Sequence, residues 1–321
     1  MASILKRMSI VVKENISLKP YTVFKIGGNA RFFVEVKSTE ELKEALSFAK
    51  GNGVPFFVAG AGSNILVSDK GFDGLYIKNL ATRSSVDGSN LFCESGVMMP
   101  YASLMAAKTG LTGLEWGIGI PGTVGGSVRG NAGCFGGETK NIVRSVDVFD
   151  ANDGTVKTFL NNDCKFSYRD SAFKKNYSLI VLSAVLGLNE GKADDINKYM
   201  RELAEKRATS QNVGAKCAGC IFKNISWDRK DINKAALIVK FPLLKAFEAF
   251  SGISAGFLID ESGLKGRRIG GATISRRHAN FFVNTFEATA EDVVMLIAIA
   301  KEYVHRKFGI LLEEEIQYVG F

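Results

Sequence analysis

Apolar positions along the chain switch between two periods, and the switches mark its elements. After Ser38, the residues Leu42, Ala45, Leu46 and Ala49 recur at helical spacing in ELKEALSFAKGNG, with Ser38 and Glu41 placed as a capping box and Gly51 and Gly53 as stops. The spacing predicts a helix, and PFFVAG directly behind it reads as a strand. The runs GLYIKN, NLFCES, SVDVFDA, TVKTF and LIVLSAVLGL are rich in β-branched and aromatic residues and bounded by turns, so each is expected to be a strand. Further helices are expected over 193–208, with Ile196, Tyr199, Met200 and Leu203 on one face, and over 290–307 behind a Thr289/Asp292 cap. This succession predicts an α+β fold rather than a regular βαβ repeat. Residues 210–285 carry strands and glycine turns of their own and read as a separate domain.

Two glycine-rich stretches interrupt the pattern. GAGSN at 60–64 follows a strand and exposes main-chain N–H groups where phosphates are commonly held. GLEWGIGIPGTVGGSVRGNAG at 113–133 contains Gly117, Gly119 and Gly122 at the spacing of a dinucleotide fingerprint. A Rossmann loop nevertheless fails: Pro121 removes an N–H, and Gly125, Gly126, Gly130 and Gly133 would each charge a following helix about 1 kcal/mol. A surface loop fails as well, because Trp116, Ile118, Ile120 and Val124 are too apolar to be left in water. What remains is a buried glycine-rich loop whose backbone closely approaches something flat or anionic. Two such loops suit a ligand with two phosphates and a large ring.

Composition narrows the partners. The 321 residues are 46% hydrophobic and 23% charged, an ordinary balance for a folded chain of two or three domains. The net charge of +8 is scattered among acids, which suits small phosphorylated ligands and excludes a nucleic-acid-binding tract. Apolar stretches such as VVMLIAIA fall well short of the roughly 18 residues that cross a bilayer, and the first residues show no export pattern. A cytoplasmic location without membrane insertion is expected. The five cysteines are dispersed, as free thiols in a reducing compartment would be. Cys217 and Cys220 form C-x-x-C, but a zinc site lacks further ligands beyond His278 and His305, and a redox couple lacks the strand-to-helix setting.

VAGAGSNILVSDKGFDGLYI and GIPGTVGGSVRGNAGCFGGE resemble the flavin-binding region of the UDP-N-acetylenolpyruvoylglucosamine reductase family. The resemblance extends to YTVFKIGGNARFFVEV, FSYRDSAFK, AGCIFKN, AGFLIDESGLKGRRIGGATISRRHANFFVN and FGILLEEEIQYVG, spanning about residues 16 to 320. It is similar to the shorter, type II form. The resemblance implies a vanillyl-alcohol-oxidase (PCMH) type FAD-binding fold in two subdomains, 1–80 joined by 310–321 and 81–209, plus a separate α+β substrate-binding domain at 210–309. It implies non-covalent FAD, NADPH as reductant, a UDP-sugar substrate and a monomer. FAD would be bound by Gly60, Gly62, Ser63, Asn64, Ile120, Pro121, Gly122, Thr123, Gly125, Gly126, Ser127, Asn131 and Ala132. Tyr168, Lys223, Asn224 and His278 would lie near the substrate.

The resemblance also assigns chemistry. Flavin N5 would deliver hydride to the enolpyruvyl carbon, Arg169 and Glu315 would stabilise the resulting enolate, and Cys220 would supply the proton in place of the usual serine. Taken alone, Arg169 reads as a surface pair with Asp170. A thiol is more acidic than an alcohol, with a reference pKa of about 8.5, so Cys220 can donate provided it stays protonated. Glu314 stands where proline normally separates two glutamates, and three consecutive acids read by default as a solvated, self-repelling face. Another flavin oxidoreductase of the same fold, with a cysteinyl bond through Cys134, and a non-catalytic flavin or sugar-nucleotide binder are the alternatives.

Overall fold

The computed structural model describes residues 10–210 and 214–321. The first nine residues, read above for an export signal, and 211–213, at the head of the third expected segment, lie outside the described residues. The chain divides into two compact units, one holding the chain up to Ser17, Asn29–Ser63 and Gly71–Thr209, the other Leu18–Gly28, Asn64–Lys70 and Ser210–Phe321.

The first unit carries two sheets. In one, β1 (Lys13–Ser17), β2 (Asn29–Val36), β3 (Phe56–Ala59) and β4 (Phe72–Asn79) lie in the order β1-β2-β4-β3, with β2 and β3 both parallel to β4. Parallel neighbours need a crossover, and helix α1 (Thr39–Gly51) provides it, packing Leu42, Ala45 and Leu46 with Val34, Leu75 and Ile77. Ser38 Oγ accepts the Glu41 N–H at 3.1 Å, but the Glu41 carboxylate takes the Lys37 N–H at 2.6 Å instead of returning to Ser38, so the cap is wider than the expected box. The other sheet is antiparallel throughout: β5 (Ser84–Asp87), β6 (Asn90–Glu94), β7 (Val143–Asp150), β8 (Thr155–Leu160) and β9 (Leu179–Gly187) in the order β8-β7-β9-β6-β5.

Helices α2 (Met99–Lys108) and α3 (Val124–Gly130) join the core of this second sheet through Met99, Ala102, Val124 and Val128. The existence of α3 corrects the expectation that its glycines would prevent a helix. Thr123 caps it by accepting the Gly126 N–H at 3.3 Å, and the burial of Val124 and Val128 outweighs glycine's propensity cost. Gly125 is required by packing, since a Cβ there would lie 2.6 Å from Ser95 Cβ. The Rossmann reading still fails, because a 3-10 turn (Glu115–Gly119), not a strand, precedes this helix. Helix α4 (Ala193–Ser210) buries Ile196, Met200 and Leu203 as expected. Tyr199, expected on that face, is 43% exposed, at the edge of the stripe where its hydroxyl stays in water.

The second unit is built on helices α5 (Ala255–Glu261) and α6 (Ala290–Phe308) around Phe222, Leu258, Phe282, Leu296 and Phe308. The expected capping box of α6 is complete: Thr289 Oγ1 accepts the Asp292 N–H at 3.1 Å and Asp292 accepts the Thr289 N–H at 3.0 Å. Asp69 also accepts the N–H groups of Ala290 and Glu291, tying the short segment 64–70 to this helix. The C-terminal strand Gln317–Val319 runs parallel to Ile65–Val67, with Gln317 opposite Ile65.

Candidate active site

Within the first unit the two glycine-rich stretches pack on one another. A Cβ on Gly60 would lie 2.4 Å from Thr123 Oγ1, and one on Gly122 would lie 3.5 Å from Ser63 Oγ. The first amides of α3 are not free for a ligand: Val124 N–H donates to Val97 O at 2.8 Å, Gly125 N–H to Ser95 O at 2.9 Å and Gly126 N–H to Thr123 Oγ1. Gly125 and Gly126, expected at the cofactor, therefore have their N–H groups engaged within the protein. Donors remain elsewhere. The N–H groups of Ala61, Gly62, Ser63, Gly122 and Thr123 donate to no protein acceptor among the described residues, although Gly62 and Thr123 are buried. Ser127 Oγ, on α3 and 2% exposed, likewise lacks a hydrogen-bond partner among them. An unmet buried donor costs about 1–3 kcal/mol, so the arrangement fits a bound group that supplies acceptors, as a dinucleotide's phosphates would. Ile120 and Pro121 border these donors, and Pro121, which has no N–H, is exposed.

Asn131 and Ala132, expected at the cofactor, also bond within the protein. Asn131 terminates α3 in a left-handed conformation at φ 42°, is fully buried, and spends its amide on the protein: Nδ2 donates to Ser167 O at 2.9 Å and Oδ1 accepts the Lys140 N–H at 2.9 Å. Ala132 O accepts from the Thr139 N–H and hydroxyl. Asn131 thereby holds the turn that carries Arg169.

That turn is tight. Ser167 N–H donates to Asp170 O at 3.0 Å and Asp170 N–H to Ser167 O at 3.1 Å, with Arg169 at φ 54°. A non-glycine residue in this region costs about 1–2 kcal/mol, and such strain is characteristically kept at functional positions. Arg169 donates to Gly133 O at 2.8 Å and lies 5.2 Å from the ring centre of the half-exposed Tyr168. Lys175 Nζ lies 3.3 Å from the Asp170 carboxylate. Cys134, the position considered for a covalent flavin bond, donates its thiol to Trp116 O at 3.3 Å. Burial pushes its pKa up against the pull of Arg207 and Arg169.

The second unit brings the other two catalytic candidates onto adjacent strands. Cys220 forms a bridge with Phe281 on one side, while Ile221 O accepts the Glu315 N–H at 2.7 Å on the other. The segment 220–223 therefore lies between 280–281 and 313–315. Asn280, which sequence reasoning did not single out, fastens this arrangement. Its Oδ1 accepts the Phe222 N–H at 2.9 Å, its Nδ2 donates to Phe222 O at 2.8 Å, and its own carbonyl accepts the Ile221 N–H at 2.9 Å. Asn280→Asp keeps the shape and turns the Nδ2 donor into an acceptor facing Phe222 O, so it is expected to cost about 2–3 kcal/mol. Urea unfolding of this variant and of wild type measures the difference; equal midpoints and slopes would contradict the assignment.

The remaining candidates sit nearby in the same unit. Asn64 Nδ2 donates to Glu315 O at 3.2 Å and Asn64 O accepts the Gln317 N–H at 2.9 Å, so this residue, expected at the cofactor, secures the Glu315 strand. Lys223 Nζ is 3.5 Å from Glu313. Asn224 Oδ1 accepts the Ala255 N–H at 3.1 Å, at the start of α5. His278 packs edge-on against Phe281 and accepts the Asn280 N–H at 3.3 Å through Nδ1. Burial lowers its pKa, which favours the neutral ring that this acceptor role requires.

Comparison with known proteins matches both units. A family model described as UDP-N-acetylenolpyruvoylglucosamine reductase, C-terminal domain, covers residues 211–319, and one described as FAD binding domain covers 30–159. The UDP-N-acetylenolpyruvoylglucosamine reductase of Caldicellulosiruptor bescii is 40% identical over 319 residues, 98% of this chain and 93% of that one. That of Carboxydothermus hydrogenoformans is 40% identical over 317 residues, 98% and 96% of the two chains. The crystal structure of the enzyme from Thermus caldophilus superposes with a TM-score of 0.75 at 33% identity, covering 97% of this chain and 99% of that one. The fold is thus the expected α+β one, with an FAD-binding domain. The chain belongs to the UDP-N-acetylenolpyruvoylglucosamine reductase family, which makes it an oxidoreductase with an FAD-binding domain.

Proposed function

We propose that the protein reduces UDP-N-acetylglucosamine enolpyruvate to UDP-N-acetylmuramate with NADPH, acting as a cytoplasmic monomer in the supply of peptidoglycan precursors. FAD, when bound, would supply the hydride chemistry between NADPH and the enolpyruvyl double bond. Gly62, Ser63, Gly122, Thr123 and Ser127 would hold it through the unmet donors described above, with Gly60 packed beside them against Thr123.

The chain's own side chains handle the charge and the proton. Arg169 balances the negative charge that develops on the substrate's carboxylate and enolate, for which a planar guanidinium with two parallel N–H groups is well shaped. Glu315 assists at the same centre, and the Cys220 thiol delivers its proton from Sγ to the neighbouring carbon. Tyr168, Lys223, Asn224 and His278 serve substrate binding, with Lys223 offering charge to the diphosphate. The observation that carries the reading is the hydrogen bond from Glu315 N–H to Ile221 O, which joins the strands of two candidates 95 residues apart in sequence, from 220 to 315.

The test is anaerobic. NADPH should bleach the bound flavin's absorbance, and adding the UDP-enolpyruvyl sugar should restore it in a single turnover. Colour that fails to return with this substrate, in protein that NADPH does reduce, would refute the assignment.

A further inference from the structure

Glu314, the residue that departs from the family pattern, is held more firmly than Glu313 before it. Residues 313–315 run antiparallel to 221–223: Lys223 N–H donates to Glu313 O at 2.8 Å and Glu315 N–H to Ile221 O at 2.7 Å, leaving Phe222 and Glu314 as a non-hydrogen-bonded pair. The Glu314 N–H therefore makes no bond in this ladder. Alternation along an extended segment turns the Glu314 side chain away from the face shared by Glu313 and Glu315. There Lys301, from α6, bonds Oε1 at 2.5 Å, and the Tyr318 hydroxyl donates to Oε2. The carboxylate is only 21% exposed, whereas Glu313 is 56% exposed and meets Lys223 and Arg229 at 3.5 and 3.8 Å. Burial, and then Glu314 itself, raises the pKa of Tyr318, so the phenol remains a donor across the working range.

We propose that Glu314 is a positioning residue for Glu315, anchored by Lys301 and Tyr318 so that the strand cannot roll about its own axis. This inference rests on the role of Glu315 given above. The main-chain bonds Glu315 N–H to Ile221 O and Gln317 N–H to Asn64 O, with the Asn64 side-chain amide on Glu315 O, fix how far along the ladder Glu315 sits. A side chain clamped on the opposite face adds a further fixed point and so constrains the direction in which the Glu315 carboxyl points. Lys301 also neutralises Glu314, so the three consecutive acids do not form the self-repelling face that their sequence suggests.

Steady-state kinetics and thermal unfolding on the flavin-loaded enzyme test the proposal. Glu314→Gln and Lys301→Met are each expected to lower kcat about tenfold, because small misplacements of reacting groups are costly, with KM for both substrates within about twofold. Flavin content should be unchanged. The charge-reversed pair, Glu314→Lys with Lys301→Glu, should recover most of the kcat that either reversal loses alone. Wild-type kcat in both Glu314→Gln and Lys301→Met, or a reversed pair no faster than its single variants, would overturn the positioning role. A lowered melting temperature with kcat and KM unchanged would do so too, leaving Glu314 a stabilising residue only. Glu315→Gln, measured alongside, separates the two levels: wild-type kcat there would remove the role of Glu315 itself.

Discussion

Replacing Cys220 with alanine is expected to leave NADPH-driven reduction of the flavin unchanged and to slow its reoxidation by the UDP-enolpyruvyl sugar about 10²–10⁴-fold, the usual contribution of a positioned general acid. The two half-reactions separate the roles. In the proposed mechanism, reduction by NADPH needs no proton from Sγ, whereas completing the saturated product does. Cys220→Ser should retain most of the reoxidation rate, since a hydroxyl fills the same position and donates the same proton. The thiol's greater acidity helps only while it remains protonated, with a reference pKa of about 8.5. Stopped-flow absorbance of the flavin band follows both steps. An alanine variant reoxidised at the wild-type rate, or a serine variant as slow as alanine, would remove Cys220 from the mechanism.

The fold was legible where its signals were local. Helices α1 and α6 announced themselves because cap and periodicity lie within one stretch, as with Ser38, Glu41 and the stop at Gly51 around α1 and with Thr289 and Asp292 ahead of α6. Helix α3 did not, because Gly125, Gly126 and Gly130 argue against a helix locally while the burial of Val124 and Val128 that stabilises it is tertiary. The site divides in the same way. The glycine loops were visible as departures from periodicity, but which of their amides stay unpaired depends on Val97 and Ser95, which occupy the first donors of α3. Asn280 was invisible because its use lies in bonds to Phe222, 58 residues away. Glu314 read as a liability because Lys301 and Tyr318, which satisfy it, come from a helix and a strand that only folding brings to it.

Arg169 presents the second large expected effect. Arg169→Lys should lower the rate of flavin reoxidation by about 10²–10³-fold, comparable to losing one preorganised donor at a developing oxyanion, while flavin reduction by NADPH proceeds as in wild type. The charge is kept in this variant, so the loss isolates geometry: an ammonium is a point donor and cannot offer two parallel N–H groups to a carboxylate. The turn itself should survive. Its closure depends on main-chain bonds between Ser167 and Asp170 and on Asn131, and Lys174 holds the carbonyl of residue 169 whatever side chain that residue bears. The melting temperature of Arg169→Lys should accordingly stay within about 2–4 °C of wild type, the shift that roughly 1 kcal/mol produces in a protein of this size or smaller. Arg169→Met, which removes the charge as well, should be slower still. A lysine variant that reoxidises within twofold of wild type would show that charge alone suffices and that the strained turn serves another purpose. An equal slowing of both half-reactions would instead place Arg169 at the flavin rather than at the substrate.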